Sequence, residues 1–148
     1  MFTDKQEYHL LLIHDQQGDR VVHLNSDQYH IGRQGQDSIR LFDPTVSRNH
    51  AKLQKVAVDE HNYAYQIVDG DDTGTPSKNG IFINGLRSRS KTLQSSDTIQ
   101  IGTGSRLVYL VEAFSKTEFQ LYCRSGLHAF QDTQRKTYYH KQTLVSGF

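Results

Sequence analysis

Cysteine is almost missing from this sequence: Cys123 is the single one in 148 residues, so neither an internal disulfide nor a cysteine-based zinc site can be built. Long apolar runs are missing too. The longest, Leu10-Leu11-Leu12-Ile13, is bounded by His9 and His14, far short of the roughly 18 residues a membrane-spanning helix needs. The start, Met1-Phe2-Thr3-Asp4-Lys5-Gln6-Glu7, lacks the basic and apolar stretches of a secretory signal. A soluble, cytoplasmic protein is therefore expected. No charge of one sign dominates, since 17 Lys and Arg against 16 Asp and Glu leave a net +1. No global field draws the chain to nucleic acid or anionic lipid. Apolar residues amount to 35%, against about 45–50% in average globular chains when glycine is included, and mean hydropathy is −0.67. A thin core with many polar loops is expected.

The usual marks of an enzyme are also wanting. The eight histidines (9, 14, 23, 30, 50, 61, 128 and 140) form no H-E-x-x-H or comparable metal-ligand cluster. There is no G-x-S-x-G elbow, and residues 74–78 have the wrong spacing for a phosphate-binding P-loop. Ser47 and His50 lie close in sequence, but a serine triad also needs an oriented acid and an oxyanion hole. The expectation is no catalytic activity, no metal, no cofactor and no small-molecule substrate.

What is present is a β pattern. Residues 8–14 read as a strand, 15–19 as a turn and 20–24 as the returning strand of a hairpin. Further short strands are expected at 29–31, 38–41, 51–58, 63–68, 81–83, 98–101 and 107–111. Tyr63, Tyr65 and Ile67 share one face, because side chains alternate along a strand. Asn84-Gly85 directly after Ile81-Phe82-Ile83 is the strongest hairpin signal. Roughly ten short strands in about 105 residues favour an all-β sandwich.

Charge divides the chain. Residues 1–114 hold 12 basic and 14 acidic side chains, whereas 115–148 hold 5 basic and 2 acidic. The second segment also carries Phe119, Tyr122, Phe130, Tyr138, Tyr139 and Phe148. A slightly acidic body of residues 1–114 and a basic, aromatic extension of 115–148 are expected. No convincing strand or helix is legible after residue 115; residues 118–121 suit a short strand or turn. The extension serves as a strap or disordered segment, as a second surface that offers its aromatic and basic groups to a protein partner, or as a segment whose phosphorylated threonine (Thr117, Thr133, Thr137 or Thr143) engages a neighbouring copy of the chain.

Three loops carry polar residues that turns alone do not require: Gly32-Arg33, Ser47-Arg48-Asn49-His50 and Ser77-Lys78-Asn79-Gly80. Arg33, Ser47, Arg48, Lys78 and Asn79 form a donor-rich set without a carboxylate. Arginine forks, hydroxyls and amides are the donors a phosphate takes, and a phosphorylated side chain carries about −1.5 to −2 charges at neutral pH.

These segments, read in order, resemble the signature of the forkhead-associated (FHA) domain. The resemblance rests on Tyr29-His30-Ile31-Gly32-Arg33, Ser47-Arg48-Asn49-His50, Asn79-Gly80-Ile81-Phe82-Ile83-Asn84-Gly85 and Ser96-Asp97-Thr98-Ile99-Gln100-Ile101-Gly102, and it spans residues 7–113. It implies a small single-FHA protein with a C-terminal extension. The fold implied is a twisted antiparallel β-sandwich of the SMAD/FHA type with about eleven strands.

By resemblance, Arg33 binds phosphate, Ser47 donates its hydroxyl to it, and Arg48 contacts phosphate or peptide backbone. Asn79 clamps the ligand's main chain, while Gly32, His50 and Gly80 support the site. Two positions depart from the family. Lys78 stands where threonine or serine commonly donates a hydroxyl, so that it either supplies a point charge or turns to solvent, and Ser96 stands where glycine is common. Flanking specificity is expected from residues 34–37, 40–46 and 70–77, where Asp71 and Asp72 disfavour acidic neighbours and Arg40 does the reverse.

The function implied is a non-catalytic module that binds phosphothreonine on a partner, a Ser/Thr kinase or its substrate, and couples phosphorylation to assembly. The alternative is an FHA-fold scaffold or assembly subunit that binds its partner without phosphate, through the body or the extension. Nucleic acid is not an expected partner, since no groove-reading motif accompanies the basic tail.

Overall fold

The computed structural model describes residues 4–124 and the strand Gln142–Leu144. It opens on the expected hairpin, β1 (Gln6–Asp15) and β2 (Gly18–Leu24), paired from His9↔Leu24 to Asp15↔Gly18. Next come β3 (Gln28–Gly32), β4 (Ile39–Arg40), β5 (Ala51–Ala57) and β6 (Tyr63–Asp69). The chain continues through β7 (Ile81–Ile83), β8 (Leu86–Ser88), β9 (Ser90–Thr92), β10 (Thr98–Ile101) and β11 (Ser105–Phe114). A helix, α1 (Lys116–Arg124), and a strand, β12 (Gln142–Leu144), complete the described elements.

Two sheets stack face to face. One has the order β12-β2-β1-β11-β10-β7-β8, the other β4-β3-β5-β6-β9. Pairing is antiparallel except for β3 with β4 and β2 with β12. The fold is the expected β-sandwich. β7 and β8 turn on Asn84 and Gly85 with φ of 52° and 86°, as the Asn-Gly pair predicts. β8 and β9 were not legible, because Leu86-Arg87-Ser88 and Ser90-Lys91-Thr92 are mostly polar and lack a buried stripe.

Leu11, Ile13, Ile31, Leu53, Tyr65, Ile67, Ile81, Ile99 and Leu107 fill the space between the sheets. The alternate residues of β1 are buried as well: Tyr8, Leu10 and Leu12 join Val21, Val108 and Leu110 in a second cluster on the outer face of the first sheet. Strands covered on both faces read as continuous apolar runs, which accounts for Leu10-Leu11-Leu12-Ile13. Each such aliphatic side chain adds about 1.5–3 kcal/mol on burial. The core is therefore thicker than composition suggested.

The helix corrects the sequence expectation for residues 115–124. Ser115 and Glu118 form a reciprocal capping box: the Ser115 amide donates to Glu118 Oε1 at 2.8 Å, and the Glu118 amide donates to Ser115 Oγ at 3.1 Å. The S-x-x-E spacing was a readable start signal. Phe119 then stacks on Tyr8 at 4.0 Å, and Tyr122 packs on the outer cluster. Cys123 is buried, and burial pushes its thiol up to about 11. Thr133, Thr137 and residues 131–139 lie outside the described residues. Among the described residues, no helix is long and apolar enough to cross a membrane.

Candidate functional site

The loops after β3, before β5 and before β7 meet at one end of the sandwich. Arg33 and Ser47 are joined first through the backbone, the Arg33 amide donating to the Ser47 carbonyl at 3.2 Å. The Arg33 side chain is then aimed by its own Nε, which donates to the Val46 carbonyl at 2.7 Å. That leaves the two terminal nitrogens of the fork for a ligand. Gly32 is required by close approach: a Cβ would stand 2.0 Å from the Arg48 carbonyl oxygen and 2.3 Å from Asp37 Oδ2.

Ser47 is positioned by two contacts. Its amide donates to His50 Nδ1 at 2.9 Å, and its Oγ accepts the Lys78 amide at 3.1 Å. A hydroxyl has one proton and two acceptor sites, so accepting from Lys78 keeps the proton available for an anion. His50 is fully buried. With Nδ1 accepting, its Nε2 donates to the Gly80 carbonyl at 2.8 Å. Burial pulls its pKa down against the opposing pull of that carbonyl, Asp69 and Asp43, and the neutral ring is the form these two bonds need.

The third loop is anchored below. Ser77 Oγ donates to Asp69 Oδ1 at 2.5 Å and accepts the Gly80 amide at 2.8 Å. Gly80 sits at φ +77°, a conformation that side chains resist. Asn79 Nδ2 donates to the Thr45 carbonyl at 2.8 Å, which orients the carboxamide across the gap between loops. Asp43 underlies the middle loop. Its carboxylate accepts from the Thr45 amide, Thr45 Oγ1, the Gly104 amide and Ser105 Oγ. Burial raises its pKa, and those hydrogen bonds together outweigh burial and hold it below the usual value.

An open cleft of about 300 Å³ results, with Arg33, Ser47 and Arg48 on it together with Asp71, Thr75 and Pro76. Lys78 and Asn79 are exposed beside it rather than lining it. Sequence reasoning did not find Asp43 and Asp69, and it marked Ser77 only as part of its polar loop; all three hold the loops. Asp43 reaches Gly104 and Ser105 from the far end of the sequence, Asp69 and Ser77 bond each other across a loop, and neither arrangement leaves a periodic signal. Arg40 is exposed and lies over the Phe42 ring at 4.5 Å. Among the described residues, no group of His, Cys, Asp and Glu is placed to hold a metal ion.

Residues 29–102, half of the sequence, match the FHA domain family, and the chain belongs to that family. FHA domains are phosphopeptide-binding modules, in general without catalysis. The fold is similar to that of the Slr1951 protein from Synechocystis sp., with 38% identity and a TM-score of 0.66 over 69% of this chain and 96% of that one. It is also similar to a structure from a study of phosphothreonine-dependent FHA domain interactions, with 25% identity and a TM-score of 0.56, covering 70% of this chain and 95% of that one. An oxoglutarate dehydrogenase inhibitor of Corynebacterium jeikeium is 34% identical over 59% of this chain and 53% of its own length. The chain spans 13% and 53% of the two curated relatives it matches.

Proposed function

We propose that this chain is a non-catalytic reader of phosphothreonine that couples Ser/Thr phosphorylation to protein assembly in the cytoplasm, its partner being a Ser/Thr kinase or a kinase substrate. Arg33 and Ser47 take the phosphate, Arg48 and Lys78 add positive charge around it, and Asn79 holds the ligand's main chain. Gly32, His50 and Gly80 keep the loops in place. The observation that carries this reading is the Ser47 hydroxyl, whose acceptor side is occupied by the Lys78 amide at 3.1 Å beside an arginine already aimed by Val46. A preset donor pair is what a doubly charged ester requires, because the ligand then orders little on binding. Charge-assisted bonds contribute about 1.5–3 kcal/mol each.

Fluorescence-polarisation titration of phosphothreonine peptides against their unphosphorylated twins tests this directly. Arg33→Ala and Ser47→Ala are each expected to weaken binding about ten- to a hundredfold with thermal stability retained. Phosphoserine peptides should bind about fourfold more weakly, the worth of one buried methyl. Equal affinity for both members of each phosphothreonine pair overturns the proposal. It would favour instead the phosphate-independent scaffold, which binds its partner through the body or the extension.

A further inference from the structure

The cleft holds one group that a phosphate alone does not explain. Asp71 lies on it together with Arg33 and Arg48, and a carboxylate near a phosphate is repulsive. Its local task is clear: Oδ1 accepts from the Thr73 amide at 2.9 Å, Thr73 Oγ1 at 2.7 Å and the Thr75 amide at 3.0 Å. An asparagine would make the same turn through the same oxygen, so the turn does not account for the charge. Those bonds, the Thr73 hydroxyl foremost, hold the carboxyl below the usual range, and it is ionised at neutral pH.

The neighbouring carboxylate is different. Asp72 is engaged by His30 Nε2 at 2.9 Å and Lys52 Nζ at 3.4 Å, whereas no ion pair among the described residues involves Asp71. A second cavity of about 190 Å³ adjoins the cleft, sharing Asn49 and Asp71 with it and adding His30, Asp72 and Thr73. Asp71 thus stands where the two cavities join, without an ion-pair partner among the described residues.

Building on the phosphopeptide reading, we infer that Asp71 is a specificity determinant that selects partners carrying a lysine or arginine close to the phosphothreonine, its side chain seated in the second cavity. A cation there pairs with Asp71 and cancels the repulsion that the carboxylate exerts on the phosphate. A peptide with an acidic neighbour meets two like charges at once. The Debye length of about 8 Å at physiological salt confines the effect to residues adjacent to the phosphothreonine.

The test uses the full chain and synthetic phosphothreonine peptides with alanine flanks, in which lysine and then glutamate is moved through each neighbouring position. Fluorescence polarisation is read for the wild type and for Asp71→Asn, which retains the turn. In the wild type, lysine at one or two positions is expected to tighten binding about three- to fivefold over alanine, and glutamate to weaken it. In Asp71→Asn the lysine and alanine peptides should converge. If the wild type shows no preference, prefers glutamate, or keeps its preference in Asp71→Asn, the inference is overturned and the phosphothreonine reading stands. Failure of every phosphorylated peptide, alanine-flanked ones included, overturns both.

Discussion

Each end of the sandwich buries a neutral histidine, and the two are used in opposite ways. β6 runs between these ends, from Tyr63 to Asp69. Beside Asp69, His50 has both ring nitrogens bonded, to the Ser47 amide and the Gly80 carbonyl, and so ties two ligand loops together. Beside Tyr63, His9 lies in an aromatic nest: stacked on Tyr63 at 4.2 Å, edge-on to Tyr65 at 5.8 Å, and with Nδ1 2.6 Å from the Tyr109 hydroxyl. Its Nε2 is buried without a partner. Burial first, then the Lys55 and His23 charges, pull its pKa down to about 4. A histidine with two protein partners acts as a bracket for function, whereas one with a single partner seals the fold and leaves it sensitive to acid.

The largest expected effect that separates the two ends comes from His50→Ala. It strands the Ser47 amide and the Gly80 carbonyl and opens a cavity, a loss of about 3–4 kcal/mol. Phosphothreonine binding should disappear under conditions where the variant is still folded, although His50 does not line the cleft. Urea denaturation and peptide titration measure the two effects. A variant that binds normally would dissolve the distinction between the ends.

Acid probes the other end. The unfolded imidazole of His9 takes a proton near the ordinary histidine value of 6.5, the folded one only near 4. Stability from this group is thus complete above the higher value and drains away as pH falls toward the lower, by about 3 kcal/mol in all. His50 shifts in the same direction and adds to the slope. Carboxylates held low, such as Asp43 and Asp97, titrate below this window. Urea melts at a series of pH values should show His9→Phe losing much less stability across the window than the wild type. An unchanged slope would assign the acid sensitivity elsewhere.

The smallest effect concerns Ser96, a non-glycine residue at φ +80° whose amide donates to the Tyr109 carbonyl at 2.6 Å. Ser96→Gly should relieve about 1 kcal/mol of backbone strain behind the aromatic nest, raising the melting temperature and leaving peptide affinity unchanged. A matching change in affinity would mean that the ends communicate.

Much of this was legible in the sequence, and unevenly so. Ile81-Phe82-Ile83 with Asn84-Gly85 declares a hairpin because every contact it needs is local. Arg33, Ser47 and Asn79 stood out because ordered motifs surround them. Their aim did not: it depends on the Val46 and Thr45 carbonyls, and backbone atoms carry no residue signature. β9 joins the second sheet through β6 alone, a pairing of distant segments with polar side chains. The helix was legible in Ser115 and Glu118 but was masked by the polar residues around it.

The contact between the Lys78 amide and Ser47 Oγ has a consequence for how this surface can diversify. The loops are coupled through the peptide spine at position 78, not through the lysine hanging from it. Any replacement except proline, which has no N–H to give, leaves that coupling formally intact. The residue beside the pocket is thus at liberty to vary in charge, size and reach, and new preferences can be acquired there without dismantling the apparatus that holds the ligand.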